Sequence, residues 1–217
     1  MLLLGLDTAT SAITVAVSDH DTVLASFLAV DARRHGELLA PAIERVLAEA
    51  KVLIGDLEAV AVGVGPGPYT GLRVGVVTAL AIGDALGVPA HGVCTLDVLA
   101  SQARDGAPFT VVTDARRREV FWASYDAQAQ RITGPAVARP ADVAATVSGR
   151  IVGAGAVLYP EAFGNTSGPE YPDAGALCGL VAARLSGASG ELLLPRPIYL
   201  RRPDATEPHA PKPVLPV

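Results

Sequence analysis

Apolar residues along this chain fall into two rhythms that replace one another in turn. Leu2 to Leu6 and Ala12 to Val17 are aliphatic runs flanking a polar turn, Asp7-Thr8-Ala9-Thr10-Ser11, and Thr22 to Val30 follows a second turn at His20-Asp21. Short apolar runs bounded by turn residues predict three strands in a meander. The Asp, Thr and Ser side chains can bond their own backbone and tighten the reversal. The rhythm then becomes helical. Leu38, Leu39, Ala42, Ile43, Val46, Leu47 and Ala50 share one stripe, while Glu37, Glu44, Arg45, Glu49 and Lys51 fall off it. This predicts a helix over roughly 36–51, with Pro41 near its first turn or at a kink. Gly55-Asp56 closes the unit, and Ala59 to Val64 reads as a buried strand.

The segment Gly65-Pro66-Gly67-Pro68-Tyr69-Thr70-Gly71-Leu72-Arg73-Val74-Gly75 breaks both rhythms. Two Gly-Pro pairs exclude helix and central strand. Thr70 is the expected N-cap of a helix from about Gly71 to Leu86, which ends at Gly87 before Pro89. That helix is apolar nearly all round, so it is buried on both sides, in the core or by a partner. Gly71, Gly75, Ala79 and Gly83 recur every fourth position and form a stripe where another backbone can approach closely. A third helix is expected over about Leu96 to Arg104.

A second unit begins at Phe109. Phe109 to Thr113 reads as a strand, Asp114 to Arg118 as a turn and Glu119 to Tyr125 as an alternating strand. A shift of 107 residues places Asp7 on Asp114 and Val15 on Trp122, an internal repeat of strand, Asp, turn and strand. A short strand at Arg150 to Gly153, a Gly/Pro/Ser-rich loop from Tyr159 to Pro172 and a helix from about Ala174 to Leu185 complete the unit. Residues 195–217 hold seven of the 17 prolines and predict an extended tail, mobile at its end unless docked. The expected organisation is an α/β chain of two lobes, 1–107 and 108–195, followed by a Pro-rich tail, 196–217.

Composition narrows the function. The chain of 217 residues is 50% hydrophobic and 18% charged, which excludes a disordered protein. Its net charge of −5 argues against nucleic-acid binding driven by bulk positive charge. Cys94 and Cys178 are too few for a disulfide framework and read as small buried hydrophobes. No targeting or spanning segment is visible, so a soluble cytoplasmic protein is expected.

No complete catalytic constellation emerges. Asp7 and Asp114 could position a phosphate-bound magnesium or orient a water, or simply cap their turns. The Gly65 to Gly71 loop opens a helix, as anion sites do, but it lacks the Lys and Ser/Thr pair of a P-loop and the third glycine of a dinucleotide fingerprint. It could equally be a turn packed against a partner. His20, His35, His91 and His209 are too scattered for a local metal pair. No Gly-x-Ser-x-Gly or ordered Cys–His pair marks a nucleophile, and Ser167 lies in a polar loop. Arg116-Arg117-Arg118 could touch phosphate or RNA, or be a solvated turn.

Five blocks in order carry a resemblance. They are Leu4-Gly5-Leu6-Asp7-Thr8-Ala9-Thr10; His35-x-Glu37 with Leu39-x-Pro41; Gly65 to Gly75 as written above; Asp114-Ala115-Arg116 with Glu119-Val120-Phe121-Trp122-Ala123; and Pro197-Ile198-Tyr199-Leu200-Arg201. Together they resemble the bacterial TsaB family, also called YeaZ, across nearly the whole chain. The resemblance implies the actin-like, hexokinase-like ATPase fold, two lobes from a duplicated five-stranded mixed sheet with helices. It implies a part in making threonylcarbamoyladenosine at position 37 of tRNA, beside a catalytic sibling, TsaD, and an ATPase, TsaE. The sibling carries a His-His-Met-Glu-Gly-His segment where this chain reads Val93-Cys94-Thr95-Leu96-Asp97-Val98. That departure implies a pseudo-enzyme with no cofactor of its own, ATP and a metal being used by its partners.

The same resemblance implies pairing with TsaD through the first-lobe helices, self-pairing through the same face when alone, and tRNA contact only through the complex. The candidate interface residues are Leu39, Ile43, Leu47, Tyr69, Thr70, Leu72, Arg73, Val76 and Leu80. Asp7, Thr8, Gly65, Gly67 and Gly71 are the candidates for nucleotide binding. A lone nucleotide-dependent phosphotransferase of the same fold is the rival reading, although Asp7-Thr8 lacks the glycine that sugar kinases of this fold place next. A metal-dependent peptidase is a third, set against the missing histidine pair.

Overall fold

A computed structural model describes residues 1–20, 22–164, 166 and 168–201. Ser167, His209 and the tail from 202 onward lie outside the described residues. The first sheet contains β1 (Leu2–Asp7), β2 (Ala12–Asp19), β3 (Thr22–Val30), β4 (Ala59–Gly63) and β5 (Ala90–Val93) in the order β3-β2-β1-β4-β5. The first three strands form the expected antiparallel meander, and β4 joins β1 in parallel. β1 is apolar on both faces because both are covered. Leu4 and Leu6 join the core beneath α1 (His35–Ala50) and α2 (Tyr69–Leu86), whereas Leu3 packs with Ala59, Ala61 and Val93 on the opposite side. Pro41 sits inside α1 on its exposed side.

α2 starts two residues before the expected Gly71. Pro68, not Thr70, is its N-cap, and no side chain caps it. The proline's φ of −59° is already fixed near the helical value, and its carbonyl accepts from Leu72 N–H at 3.1 Å. Thr70 is left exposed on the first turn. At the other end Gly87 takes the left-handed C-cap conformation, φ 69°, as the sequence predicts.

The second sheet repeats the scheme with β6 (Phe109–Asp114), β7 (Val120–Tyr125), β8 (Arg131–Ala138) and β9 (Arg150–Val152), ordered β8-β7-β6-β9. β6 pairs antiparallel with β7 and parallel with β9, as β1 does with β2 and β4. Among the described residues this sheet has four strands, one fewer than the duplication implies. The register also corrects the repeat by one residue. Leu6 faces Val15, while its counterpart Thr113 faces Phe121, because the second turn is one residue shorter. β8 and the short helices α4 (Pro140–Thr146), α5 (Ala154–Leu158) and α6 (Pro160–Phe163) have too little periodicity to be read from sequence.

The lobe boundaries expected at 107 and 195 do not follow the packing. α3 (Thr95–Ala103) belongs to the first half of the chain, yet Leu96, Leu99 and Ala100 pack with Phe109, Val111 and Tyr125 of the second sheet. α7 (Ala174–Leu185) belongs to the second half, yet Leu177, Cys178 and Val181 pack beneath the first sheet. The segment at 193–201 is docked. Leu193 and Gly92 exchange backbone hydrogen bonds of 2.8 Å, Ile198 N–H donates to Val64 O at 2.8 Å, and Ile198 touches the cores of both lobes.

Candidate functional site

The end of β1 and the Gly-Pro-Gly loop form one buried hydrogen-bonded hub. Asp7 is 0% exposed. Ala9 N–H donates to its Oδ1 at 2.7 Å, and Thr95 Oγ1 donates to its Oδ2 at 2.7 Å. Thr95 in turn accepts from Gly65 N–H at 3.1 Å and donates its own N–H to Gly65 O at 2.8 Å. Desolvation pushes the Asp7 carboxyl up to about 6 despite these donors. The Thr8 hydroxyl enters the α2 ladder: it donates to Gly71 O at 2.7 Å and accepts from Gly75 N–H at 2.9 Å. His35 Nε2–H donates to Thr10 O at 2.8 Å from the start of α1.

This geometry corrects the two site expectations. A Cβ at Gly67 would lie 2.1 Å from Ala9 O, so the loop rests directly on the turn that follows β1. Asp7, Thr8, Gly65, Gly67 and Gly71 are all buried, and the chain itself binds the Asp7 carboxylate, the Thr8 hydroxyl, the Gly71 carbonyl and both backbone groups of Gly65. The small-residue stripe also points inward. A Cβ at Gly71 would stand 2.8 Å from Thr8 O, at Gly75 2.5 Å from Thr8 Oγ1, and at Gly83 3.0 Å from Val88 O. The close approach those residues permit is to the chain's own first strand and β5 entry.

Leu39, Ile43, Leu47, Leu72 and Val76 are likewise core residues, from 0% to 8% exposed, and have no surface to offer a partner. The other four interface candidates, Tyr69, Thr70, Arg73 and Leu80, are exposed. They share the outer face of α2 with Val77 and Ala81, which the sequence reading missed. Tyr69, Val77 and Leu80 are 44%, 57% and 39% exposed. α2 is long and apolar enough to cross a membrane by length and composition, but its inner half belongs to the core of the sheet.

Beside the N-terminus of α2 the lobes leave a cleft of about 250 Å³, lined by Gly67, Pro68, Tyr69, Ala115, Arg116, Arg117, Phe121, Tyr199, Leu200 and Arg201. Tyr69 and Tyr199 stack at 5.1 Å, and Arg73 donates to Tyr69 Oη at 2.6 Å. Arg201 holds the far wall through Ala115 O at 2.8 Å and an ion pair with Glu119. Asp114, the repeat counterpart of Asp7, caps its turn in the same manner: Arg116 N–H donates to Oδ1 at 2.7 Å. Arg116, Arg117 and Arg118 all have left-handed φ, 55° to 60°. Cys94 and Cys178 are buried and unbonded, and burial pushes both thiols up to about 12, the wrong direction for a nucleophile. Val93 to Val98 runs from the end of β5 into α3, and Cys94 and Leu96 within it are packed in the second core.

A family model described as TsaD, tRNA N6-adenosine threonylcarbamoyltransferase, matches residues 22–161. An uncharacterised protein of Mycobacterium leprae is 45% identical over 212 residues, 94% of this chain and 56% of that protein. The tRNA threonylcarbamoyladenosine biosynthesis protein TsaB of Escherichia coli is 38% identical over 130 residues, 58% of this chain and 55% of that protein. The chain thus spans about half the length of these two relatives. Among solved structures, YeaZ from Pseudomonas aeruginosa superposes with a TM-score of 0.75 at 29% identity, covering 92% of this chain and 99% of that one. The chain belongs to the TsaB (YeaZ) family. Its two mixed sheets repeat one scheme, β1 and β6 each pairing antiparallel with the next strand and parallel with a later one. In this TsaB-family member the turn at Asp7 is closed by the loop that follows β4.

Proposed function

We propose that this chain is a non-catalytic scaffold subunit in the synthesis of threonylcarbamoyladenosine at position 37 of tRNA. It pairs with a TsaD-like catalytic subunit and helps recruit a TsaE-like ATPase, which use the metal and ATP. By itself it self-pairs through the same face, and it works in the cytoplasm. One observation carries this reading: α2 shows solvent an apolar row, Tyr69, Val77 and Leu80, while the neighbouring turn is sealed. Such a row suits another protein's helices. A stable pairing would need about 1,200 Å² or more of total buried surface, so the exposed rim of α1 contributes as well. Using one surface for both self-pairing and the sibling makes the two assemblies mutually exclusive.

The test is reconstitution with the catalytic sibling, the ATPase, tRNA, ATP, threonine, bicarbonate and the enzyme that makes the threonylcarbamoyl adenylate. Modification is expected to depend on this chain. Full-rate modification in its absence overturns the scaffold reading, and ATP turnover by the lone chain would establish the phosphotransferase instead.

A further inference from the structure

We infer that α2 meets α2 of a second copy in one antiparallel register, with Val77 against the partner's Leu80 and Arg73 against the partner's Asp84. Charge then decides which way round two copies pair. The inference rests on the pairing role proposed above and supplies its geometry. Three observations lead to it.

First, Thr70, Arg73, Val77, Leu80 and Asp84 are all exposed on α2. Their spacing alternates between three and four residues. That alternation keeps side chains on one seam of a helix that packs along another. The centre of the seam, Val77 and Leu80, is apolar. Ala81 and Ala85 beside it are exposed and small, so a second helix can come within the usual 8–10 Å.

Second, the two ends of the seam carry opposite charges that the chain itself does not neutralise. The Arg73 guanidinium donates to the Tyr69 hydroxyl and lies over the Tyr69 ring, and both of these are neutral. Among the described residues no hydrogen bond or ion pair holds Asp84. A two-fold axis midway between Val77 and Leu80 sets those two residues against each other. One turn further out, at each end, it sets Arg73 against the partner's Asp84. The parallel arrangement would instead place Arg73 against Arg73 and Asp84 against Asp84, and like charges reject a partner.

Third, Asp84 stands in the last turn of its own helix, where the macrodipole presents its negative end. Within one chain that placement is unfavourable. In an antiparallel pair the neighbouring helix presents its positive end there. The residue that is misplaced for the single helix is well placed for the pair.

The experiment is sedimentation velocity on the full chain over a concentration series at low salt. It compares wild type with Arg73→Glu, with Asp84→Arg and with an equimolar mixture of the two variants. Symmetry repeats each contact, so either substitution sets like charges at both ends of a self-pair. Each variant alone should associate about 10-fold more weakly than wild type. In the mixture one chain brings carboxylates to both contacts and the other brings guanidinium groups, so association should return to the wild-type level. The deficit of the single variants should vanish at about 1 M salt, where the screening length is about 3 Å. Both positions are exposed, and circular dichroism verifies that the variants are folded. Wild-type association in both single variants, or no recovery on mixing, overturns the register. A deficit that persists at high salt overturns it too, in favour of lost packing. If Val77→Glu dissociates the pair while the charge variants do not, the face stands and the register falls. The reconstituted modification reaction reports the scaffold reading on its own, so the two fail separately.

Discussion

Asp7 is a fully buried carboxylate held by neutral donors, Ala9 N–H and the Thr95 hydroxyl, and that decides what it does to stability. Burial raises its pKa from 3.8 to about 6, so the folded state holds the proton more tightly than the unfolded chain does. The stabilisation from that proton is complete below pH 3.8 and is lost as pH rises through about 6. The shift corresponds to about 3 kcal/mol between those limits. Asp7→Asn keeps the acceptor for Ala9 N–H, while its amide donates to Thr95 Oγ1 once that hydroxyl turns away. Urea midpoints of the variant minus wild type, measured from pH 4 to 7.5, should therefore rise with pH and level off near 7. A flat difference would mean that Asp7 is solvated.

Gly67 makes the second residue-scale prediction. Gly67→Ala drives a methyl group to 2.1 Å from a backbone carbonyl that is itself part of the turn, and it should cost about 3 kcal/mol by thermal unfolding. At this scale the sequence was legible in kind. It offered turn capping as one reading of Asp7 and Asp114, and packing as one reading of the glycine loop. What it could not supply was that Thr95, far along the chain, completes the Asp7 hub, since a hydrogen bond across that separation leaves no local pattern.

At the scale of elements, α2 shows where periodicity ends and geometry begins. An amphipathic helix declares its buried face, but one apolar on every side does not. Of the large α2 residues expected at a partner, Leu72 and Val76 therefore turn inward with the small stripe, while Tyr69 and Leu80 stay outside. Thr8 needs Gly71 and Gly75 so that its hydroxyl can enter the helix ladder, and that requirement turns the stripe toward the sheet. Leu72 and Val76 follow it into the core, while Val77 and Leu80 turn outward. The two sides separate in one experiment. Leu72→Glu buries an unpaired charge and should unfold the chain. Val77→Glu should keep the thermal midpoint within the small range of surface changes, about 0.5 kcal/mol, while sedimentation velocity shows dissociation of any self-paired species. Self-association undiminished in Val77→Glu would move the pairing face off α2.

The whole molecule is less divisible than its duplicated plan suggests. The repeat of strand, Asp, turn and strand was visible because it is local. The exchange of helices was not, because α3 and α7 carry no mark of which sheet they will cover. Each lobe closes only with a helix from the other half of the chain: α3 covers Phe109 and Val111, and α7 covers Leu3, Ala61 and Val93. Ile198 then packs against both cores, and the strand partners at Val64 and Gly92 tie the returning chain to the first lobe. A fragment ending at residue 107 would leave the underside of its sheet bare and the apolar face of α3 without a partner. It should therefore lack a cooperative transition and bind a hydrophobic dye, while residues 1–201 unfold in one step whose calorimetric and van't Hoff enthalpies agree. Two resolved transitions, or a fragment that melts sharply without α7, would mean that the lobes are independent. The cleft would then be a hinge between separate bodies instead of a groove held open by a shared pair of helices.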